Sequence, residues 1–378
     1  MLEIFNKWYE RYLFEEESVL LLVLVFLSLI LLATIGDILA PLLASIVLAY
    51  LVQGVVNLLC RLGLPPWLGF SLAFTAFMGA FFAVLFGLLP LVWRQFVGLI
   101  TEVPRMIDQG RDLLEVLPGR YPEVFSQTQI DQLVAGVQGE IAGLGQKIVT
   151  MTLARIPGFM TLLVYVVLVP IIVFFLLKDR SQITRWLAAF LPETRPLLNR
   201  IWAEMNVQFA NYARGKMVEI IIVGAASYVS FTGLDLRYAA LLALLVGLSV
   251  IIPYIGAFIV TVPVAAVGLF QWGLTPEFYW LMAVYFVIQM LDGNVLVPLL
   301  FSEAVNLHPV AIIVAVLFFG GIWGLWGVFF AIPLATLIKA VINAWPKREA
   351  AGSTRATPDV TPDASPDATT NATPQPAE

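Results

Sequence analysis

Long apolar runs recur along almost the whole of this sequence and constrain its fold more than any other feature. Only 12% of the residues are charged, against about a quarter in soluble domains. A helix that crosses a membrane needs about 20 consecutive apolar residues, so we predict an all-α, polytopic membrane protein. The apolar runs are 18–36, 38–60, 67–93, 156–177, 217–234, 238–252, 254–272, 278–300 and 309–345.

Basic residues beside the apolar runs predict how the chain is oriented. The densest Lys and Arg cluster lies at 178–216, and such clusters stay in the cytoplasm. Counting spans from this cluster places both termini in the cytoplasm, provided that 309–338 enters and leaves the membrane on the same side. No cleavable signal peptide is expected. The expected regions are 1–97 with the first three spans, 98–155 as an amphipathic helical extracytoplasmic region, 156–180 as the fourth span, 181–216 as a cytoplasmic amphipathic helix, 217–349 as the C-terminal membrane region and 350–378 as a disordered tail.

Two apolar segments, 238–272 and 309–338, have the same organisation. Each consists of a first apolar arm, a glycine-containing break and a second arm that ends near a proline. The breaks are PYIG at 253–256 and GGIWG at 320–324. Arms of about 14 to 18 residues rise roughly 21 to 27 Å, which is short of a 30 Å membrane core. We expect two broken re-entrant hairpins, and two ordinary kinked helix pairs are the alternative. Paired broken segments of this kind often surround a transporter binding site.

Polar residues interrupt the run 278–300. An acidic side chain near the centre of a membrane helix costs about 2.5 to 3.5 kcal/mol on insertion scales, so it usually faces a cavity, a partner or a ligand. Asp292 is therefore a candidate to bind a proton or a sodium ion, with Gln289 and Asn294 as amide ligands for a solute. Pro298 frees a backbone carbonyl one turn earlier. The alternative is a structural polar cluster between helices.

Three further positions could belong to a transport path. Lys216 and Glu219 are three residues apart at the start of a span, where an interfacial ion pair is the simpler reading. His308 precedes a helix start and is either a surface group or a proton sensor. Together with the first break, the candidate transport-path or ligand-binding residues are Gln289, Asp292, Asn294, Pro298, Pro253, Tyr254, Gly256, Lys216, Glu219 and His308.

Two segments have the apolar spacing of amphipathic helices outside the membrane. In 130–148 the apolar residues alternate at steps of four and three, which indicates either a helical cap on the bundle or a subunit contact. After Pro196, apolar residues fall near every fourth position, so that helix is expected to lie against the bundle or the membrane surface. These residues are Leu197, Ile201, Met205, Phe209 and Tyr212.

Several chemical classes have no sequence support. The chain contains one cysteine and one histidine, which excludes an internal disulfide and a CxxC metal site. It has no GxxxxGK[ST] loop, HExxH or GxSxG motif, so neither ATP hydrolysis nor proteolysis is indicated. We expect no enzymatic activity, no cofactor, no metal site and no nucleic-acid partner.

Long sequence blocks resemble the autoinducer-2 exporter family, and within it the PerM permease branch. The blocks include VFFLLKDR at 173–180, NYARGKMVE at 211–219, IIPYIGAFIVTVPV at 251–264 and the Asp292 segment with LFSEAVNLHPV at 299–310. The resemblance implies an all-α protein of the bacterial inner membrane with about eight transmembrane segments, which moves small solutes out of the cell as a homo-oligomer, with a pentamer as one option. Members are described as exporters of autoinducer-2 or as sodium/proton antiporters, and many have glutamate at the position of Asp292.

These observations lead to one main hypothesis and two alternatives. The main hypothesis is a permease that exports a small solute by secondary transport, with Asp292 coupling the movement to protons or sodium. The first alternative is a nontransporting oligomeric membrane scaffold, organised by the seam at 130–148. The second is an uncoupled passive channel.

Overall fold

The computed structural model describes residues 16–120, 156–253, 255–301 and 307–344, together with the single positions 132 and 136. All regular structure in these ranges is helical, which confirms the predicted class. The helices are α1 (Glu16–Arg61), α2 (Pro66–Ala83), α3 (Leu89–Arg120), α4 (Ile156–Lys178), α5 (Arg180–Ala188), α6 (Pro196–Gly233), α7 (Ala239–Ser249), α8 (Ile255–Trp272), α9 (Pro276–Leu291), α10 (Val297–Phe301) and α11 (Pro309–Ala344), with π-helical turns at Val84–Leu88 and Asp292–Leu296.

Within the described ranges, six helical segments are long and apolar enough to cross a membrane. They are Ile38–Arg61, Pro66–Ile107, Pro196–Gly233, Ile255–Trp272, Pro276–Phe301 and Pro309–Ile342. Three shorter apolar segments accompany them: Val23–Gly36, Leu163–Lys178 and Ala239–Ser249. The chain is therefore a polytopic membrane protein, as the apolar runs predicted.

The first helices pack through small and β-branched residues. Gly63 has a φ of 97°, so the short turn between α1 and α2 uses a conformation that favours glycine. Pro66 then starts α2 at a position where its missing N–H leaves no hydrogen bond unmade. Their shared core with α4 consists of Ala49, Val52, Val56, Ala73, Val169 and Val173.

Helix α6 is the central element of the bundle. Its 38 residues rise about 57 Å at 1.5 Å per residue, so the predicted amphipathic helix after Pro196 continues without a break into the following apolar run. Ile201 packs with Leu21 and Val341, and Phe209 stacks on Phe330. The apolar stripe of this amphipathic helix thus lies against the bundle, which is one of the two arrangements expected from the sequence.

The segment 238–272 breaks between α7 and α8, at the position of the predicted PYIG break. Helix α7 crosses α6 closely: a Cβ added to Gly247 would lie 3.0 Å from the Gly224 Cα. Gly256 lies directly against the Ser249 carbonyl, where a Cβ would overlap the backbone. The return of the chain after the break therefore requires glycine at 256.

The segment 309–338 breaks at Gly324, which has a φ of 58° and a ψ of −132°, a region essentially limited to glycine. Its two arms pack against each other through Ala315, Val316, Phe319 and Ala331. Gly327 lies against the Phe319 carbonyl. Helix α11 is thus a pair of packed arms. Three predictions fall on residues outside the described ones: the apolar residues of the seam at 130–148, the tail at 350–378 and Tyr254.

Candidate functional site

A buried ion pair joins two turns of α6. The Lys216 Nζ lies 2.7 Å from the Glu219 Oε2, and the two side chains are only 5% and 2% exposed. The sequence predicted an ion pair here, and the pair is confirmed. The structure buries it inside the protein, in line with the other inward residues of α6, instead of leaving it on the helix surface.

Lys216 connects this pair to the break between α7 and α8. Its ammonium donates a hydrogen bond of 2.8 Å to the Val250 carbonyl, at the carboxyl end of α7, where the helix dipole favours a cation. It also lies 5.2 Å from the centre of the Phe301 ring, on α10. One lysine thereby contacts α6, the α7–α8 break and α10.

Tyr212 supports the same region one turn earlier on α6. Its hydroxyl donates a hydrogen bond of 2.9 Å to the Phe329 carbonyl on α11, and its ring packs against Phe301. The side chain is buried. Tyr212 thus ties the second arm of α11 to α6 beside the ion pair.

The Asp292 segment brings a second carboxylate to this site. Asp292 begins a π-helical turn, a local widening that is frequent at functional positions. Its carboxylate is close enough to interact electrostatically with Lys216 and with Glu219. The Asp292 Oδ1 is buried and makes no hydrogen bond to another described residue. The Gln289 amide lies beside the Tyr285 hydroxyl.

Helix α9 is fixed to α8 one turn before Gln289. The Tyr285 hydroxyl lies 2.9 Å from the Thr261 Oγ1 and donates to the Ala257 carbonyl at 3.0 Å. Tyr285 is fully buried. This contact aligns the polar face of α9 with the start of α8, just after the break.

Other predicted site residues do not join this group. Asn294 is exposed, and its amide donates to the Met290 carbonyl at 2.9 Å. Pro298 is also exposed. His308 is exposed and caps α11, with its Nδ1 accepting from the Val310 N–H at 3.3 Å. Pro253 and Gly256 form the break, so their role in the structure is to shape it.

The site therefore consists of Lys216, Glu219, Asp292 and Gln289 beside the Val250 carbonyl. Among the described residues, no group of three or more His, Cys, Asp or Glu side chains could hold a metal ion. The site is instead a small, buried, charged group at the junction of broken helices.

Comparison with known sequences identifies the family. A family profile described as "AI-2E family transporter" matches residues 19–347, which include the whole site. This chain belongs to the AI-2E transporter family. This chain is 46% identical over 351 residues to the Escherichia coli K12 protein named "Putative permease PerM". The match covers 93% of this chain and 99% of the relative.

More distant relatives of this AI-2E transporter also have transport names. "Putative transport protein YueF" of Bacillus subtilis is 26% identical over 305 residues, which is 79% of this chain and 82% of the relative. "Putative transport protein sll0063" of Synechocystis is 26% identical over 304 residues, which is 79% of this chain and 75% of the relative. The protein is thus a membrane transporter of the AI-2E family and not an enzyme.

The sequence contains a pattern that indicates burial of the Lys216–Glu219 pair, which the spacing of these two residues alone does not. Tyr212, Lys216, Glu219, Val223 and Ser227 follow one another at steps of three or four residues and are all buried. They continue the stripe that begins at Ile201. Joining the apolar stripe to the charged residues would have predicted that Lys216 and Glu219 face the protein interior.

Proposed function

We propose that this AI-2E family transporter exports a small solute by secondary transport coupled to protons or sodium, and that Asp292 carries the coupling ion. The observation that supports this proposal is the Asp292 Oδ1, which is buried without a hydrogen bond beside the Lys216–Glu219 pair. A buried carboxylate oxygen without a donor is costly, and a bound cation or proton removes that cost.

The charges of the site are consistent with a single monovalent ion. Lys216 contributes one positive charge, whereas Glu219 and Asp292 contribute one negative charge each when ionised. One negative charge is therefore in excess, and one proton or one sodium ion would neutralise it. The Gln289 amide, beside the Tyr285 hydroxyl, supplies a hydrogen-bond donor for an oxygen atom of the solute.

Lys216 provides a route from ion binding to movement of the hairpin. It bonds both Glu219 and the Val250 carbonyl at the break, so a change in the charge around it alters how tightly the break is held to α6. In this mechanism, the ion at Asp292 changes how strongly Lys216 is attracted to the carboxylates and to the Val250 carbonyl. The α7–α8 hairpin then opens or closes the path.

The coupling role is tested by flux in proteoliposomes with an internal pH dye and imposed sodium and proton gradients. Asp292→Asn keeps the size of the side chain and removes its charge, so we expect a folded protein without gradient-driven proton flux. Glu277→Gln is the matched control because it removes one charge from the exposed first turn of the same helix. Normal flux in a well-folded Asp292→Asn protein would refute the coupling role, and loss in both variants would refute the site assignment.

We propose the same topology that the sequence predicted, with both termini in the cytoplasm and about eight membrane segments. The eleven residues of α7 rise about 16 Å, too little for a 30 Å core, which favours re-entrance of the α7–α8 hairpin. In a Cys60→Ser background, we expect an impermeant thiol reagent to label Leu274→Cys only from outside and Arg195→Cys only from the cytoplasm. Labelling from the opposite sides would refute the orientation.

Assembly as a homo-oligomer is part of the proposal, and the mass of the detergent-solubilised complex tests it.

A further inference from the structure

Two neighbouring cavities lie beside α6 and are together called the groove. The first, of about 230 Å³, lies among α1, α4, α5 and α6. The second, of about 280 Å³, lies between α1, α6 and α11. They share the lining residues Ile46, Tyr50, Trp202 and Asn206. Each volume alone is below the 300 to 1,000 Å³ of typical small-molecule sites.

Among the described residues, Arg180 is the only charged side chain that lines the groove, and it lines the first cavity. The polar residues Tyr50 and Asn206 line both cavities, and the second adds Pro333, Leu334 and Leu337. A groove with a cation in one part and mainly apolar side chains in the other has the polarity of a phospholipid, which has its headgroup at one end and its acyl chain at the other.

The Arg180 guanidinium is oriented by neighbours but keeps free donors. Its Nη2 donates to the Asn206 Oδ1 at 3.3 Å, and the same oxygen accepts from the Tyr50 hydroxyl at 2.7 Å. The guanidinium also lies 6.0 Å from the centre of the Tyr50 ring. None of the ion pairs between described residues involves Arg180. An arginine has five N–H donors in a planar fork, so donors remain for a phosphate group.

The surroundings of Arg180 have the composition of a membrane interface. It starts α5, a short helix that follows the apolar helix α4 directly. Trp186, Phe190 and Trp202 are each more than 60% exposed in this region. Trp is enriched where a protein meets the headgroup layer, and basic pockets between membrane helices at the cytoplasmic face bind anionic headgroups.

We propose that this groove binds an anionic phospholipid, with its phosphate on Arg180 and an acyl chain along the apolar groove past Trp202. The charge of Arg180 selects an anionic headgroup over a zwitterionic one. The apolar length of the groove holds the chain, which a free phosphate ion lacks. The lipid would occupy the space between α1, α5 and α6 and so connect elements on the predicted cytoplasmic side.

Native mass spectrometry of the full chain, released from nanodiscs with equal phosphatidylglycerol and phosphatidylcholine, tests the proposal. We expect the wild type to retain phosphatidylglycerol preferentially. Arg180→Gln should reduce that preference about fivefold, which is the size expected for one basic residue near an anionic headgroup. Arg180→Lys should keep most of the preference. Arg185→Gln is the matched control, because this exposed arginine of α5 bonds the Ser181 carbonyl and does not line the groove.

Each alternative outcome overturns the proposal. Equal retention of both lipids by the wild type would mean that the groove has no headgroup preference. An equal loss in Arg185→Gln would assign the effect to the general basic surface. Displacement of the lipid by excess inorganic phosphate would identify a free-anion site, and a chain dimer without retained lipid would identify a second copy as the occupant. Unchanged melting of Arg180→Gln in detergent verifies that the variant is folded.

Discussion

The buried pair of Lys216 and Glu219 gives a stability prediction whose size follows from the structure. At 2.7 Å and an effective dielectric constant near 20, the Coulomb attraction is about 6 kcal/mol. Most of this offsets the cost of removing two charges from water. Removing Lys216 leaves the Glu219 carboxylate buried and unpaired, which costs about 3 to 5 kcal/mol.

We therefore expect Lys216→Met to destabilise the protein by about 3 to 5 kcal/mol, or roughly 6 to 10 °C in midpoint temperature, because it also removes the hydrogen bond to Val250. Glu219→Gln should cost less, because the Asp292 carboxylate still interacts with Lys216. The double variant removes both charges and should be less destabilised than the sum of the single variants.

Thermal unfolding of detergent-solubilised protein, followed by the fraction that remains monodisperse, measures these differences. Arg237→Gln is the control, because the Arg237–Glu102 pair is longer, at 3.5 Å, and its side chains are 59% and 33% exposed. An exposed pair contributes at most about 1 kcal/mol. Equal stability of Lys216→Met and wild type, or strictly additive costs in the double variant, would refute the assignment of a buried coupled pair.

Two further substitutions test contacts around the site. Gly256→Ala places a methyl group against the Ser249 carbonyl, so we expect a loss of about 3 kcal/mol or more and poor recovery of folded protein in size-exclusion chromatography; wild-type recovery would show that the break is looser than described. Tyr212→Phe removes the hydroxyl that donates to the Phe329 carbonyl, and we expect a loss of about 1 kcal/mol in thermal unfolding. A gain in stability would mean that this bond does not form in the membrane.

Much of the architecture could be predicted because the bilayer restricts the alternatives. Apolar runs must become helices in lipid, since every backbone group needs an internal partner, so the helical class followed from hydropathy. The breaks near Gly256 and at Gly324 were also readable, because proline and glycine interrupt helices for local steric reasons. Asp292 stood out because an acid is costly in such a run.

The assembly of the site could not be predicted, because it depends on contacts between distant residues. Lys216 reaches the Val250 carbonyl 34 residues away, and no local pattern encodes the position of a backbone oxygen. The π-helical turn at Asp292 is also not encoded by a local pattern. The outward position of Asn294 could have been predicted, because residues two apart on a helix do not share a face. The groove at Arg180 likewise depends on how helices α1, α4, α5 and α6 meet.

The central claim is that the negative charge at position 292 couples transport to an ion gradient. The most direct test is sodium- or proton-gradient-driven proton flux in proteoliposomes, with Asp292→Glu and Asp292→Asn measured side by side at equal protein density. The account predicts that Asp292→Glu, which retains a carboxylate, keeps measurable coupled flux, whereas Asp292→Asn has none. Equal flux in the two variants, whether both active or both inactive, would contradict it.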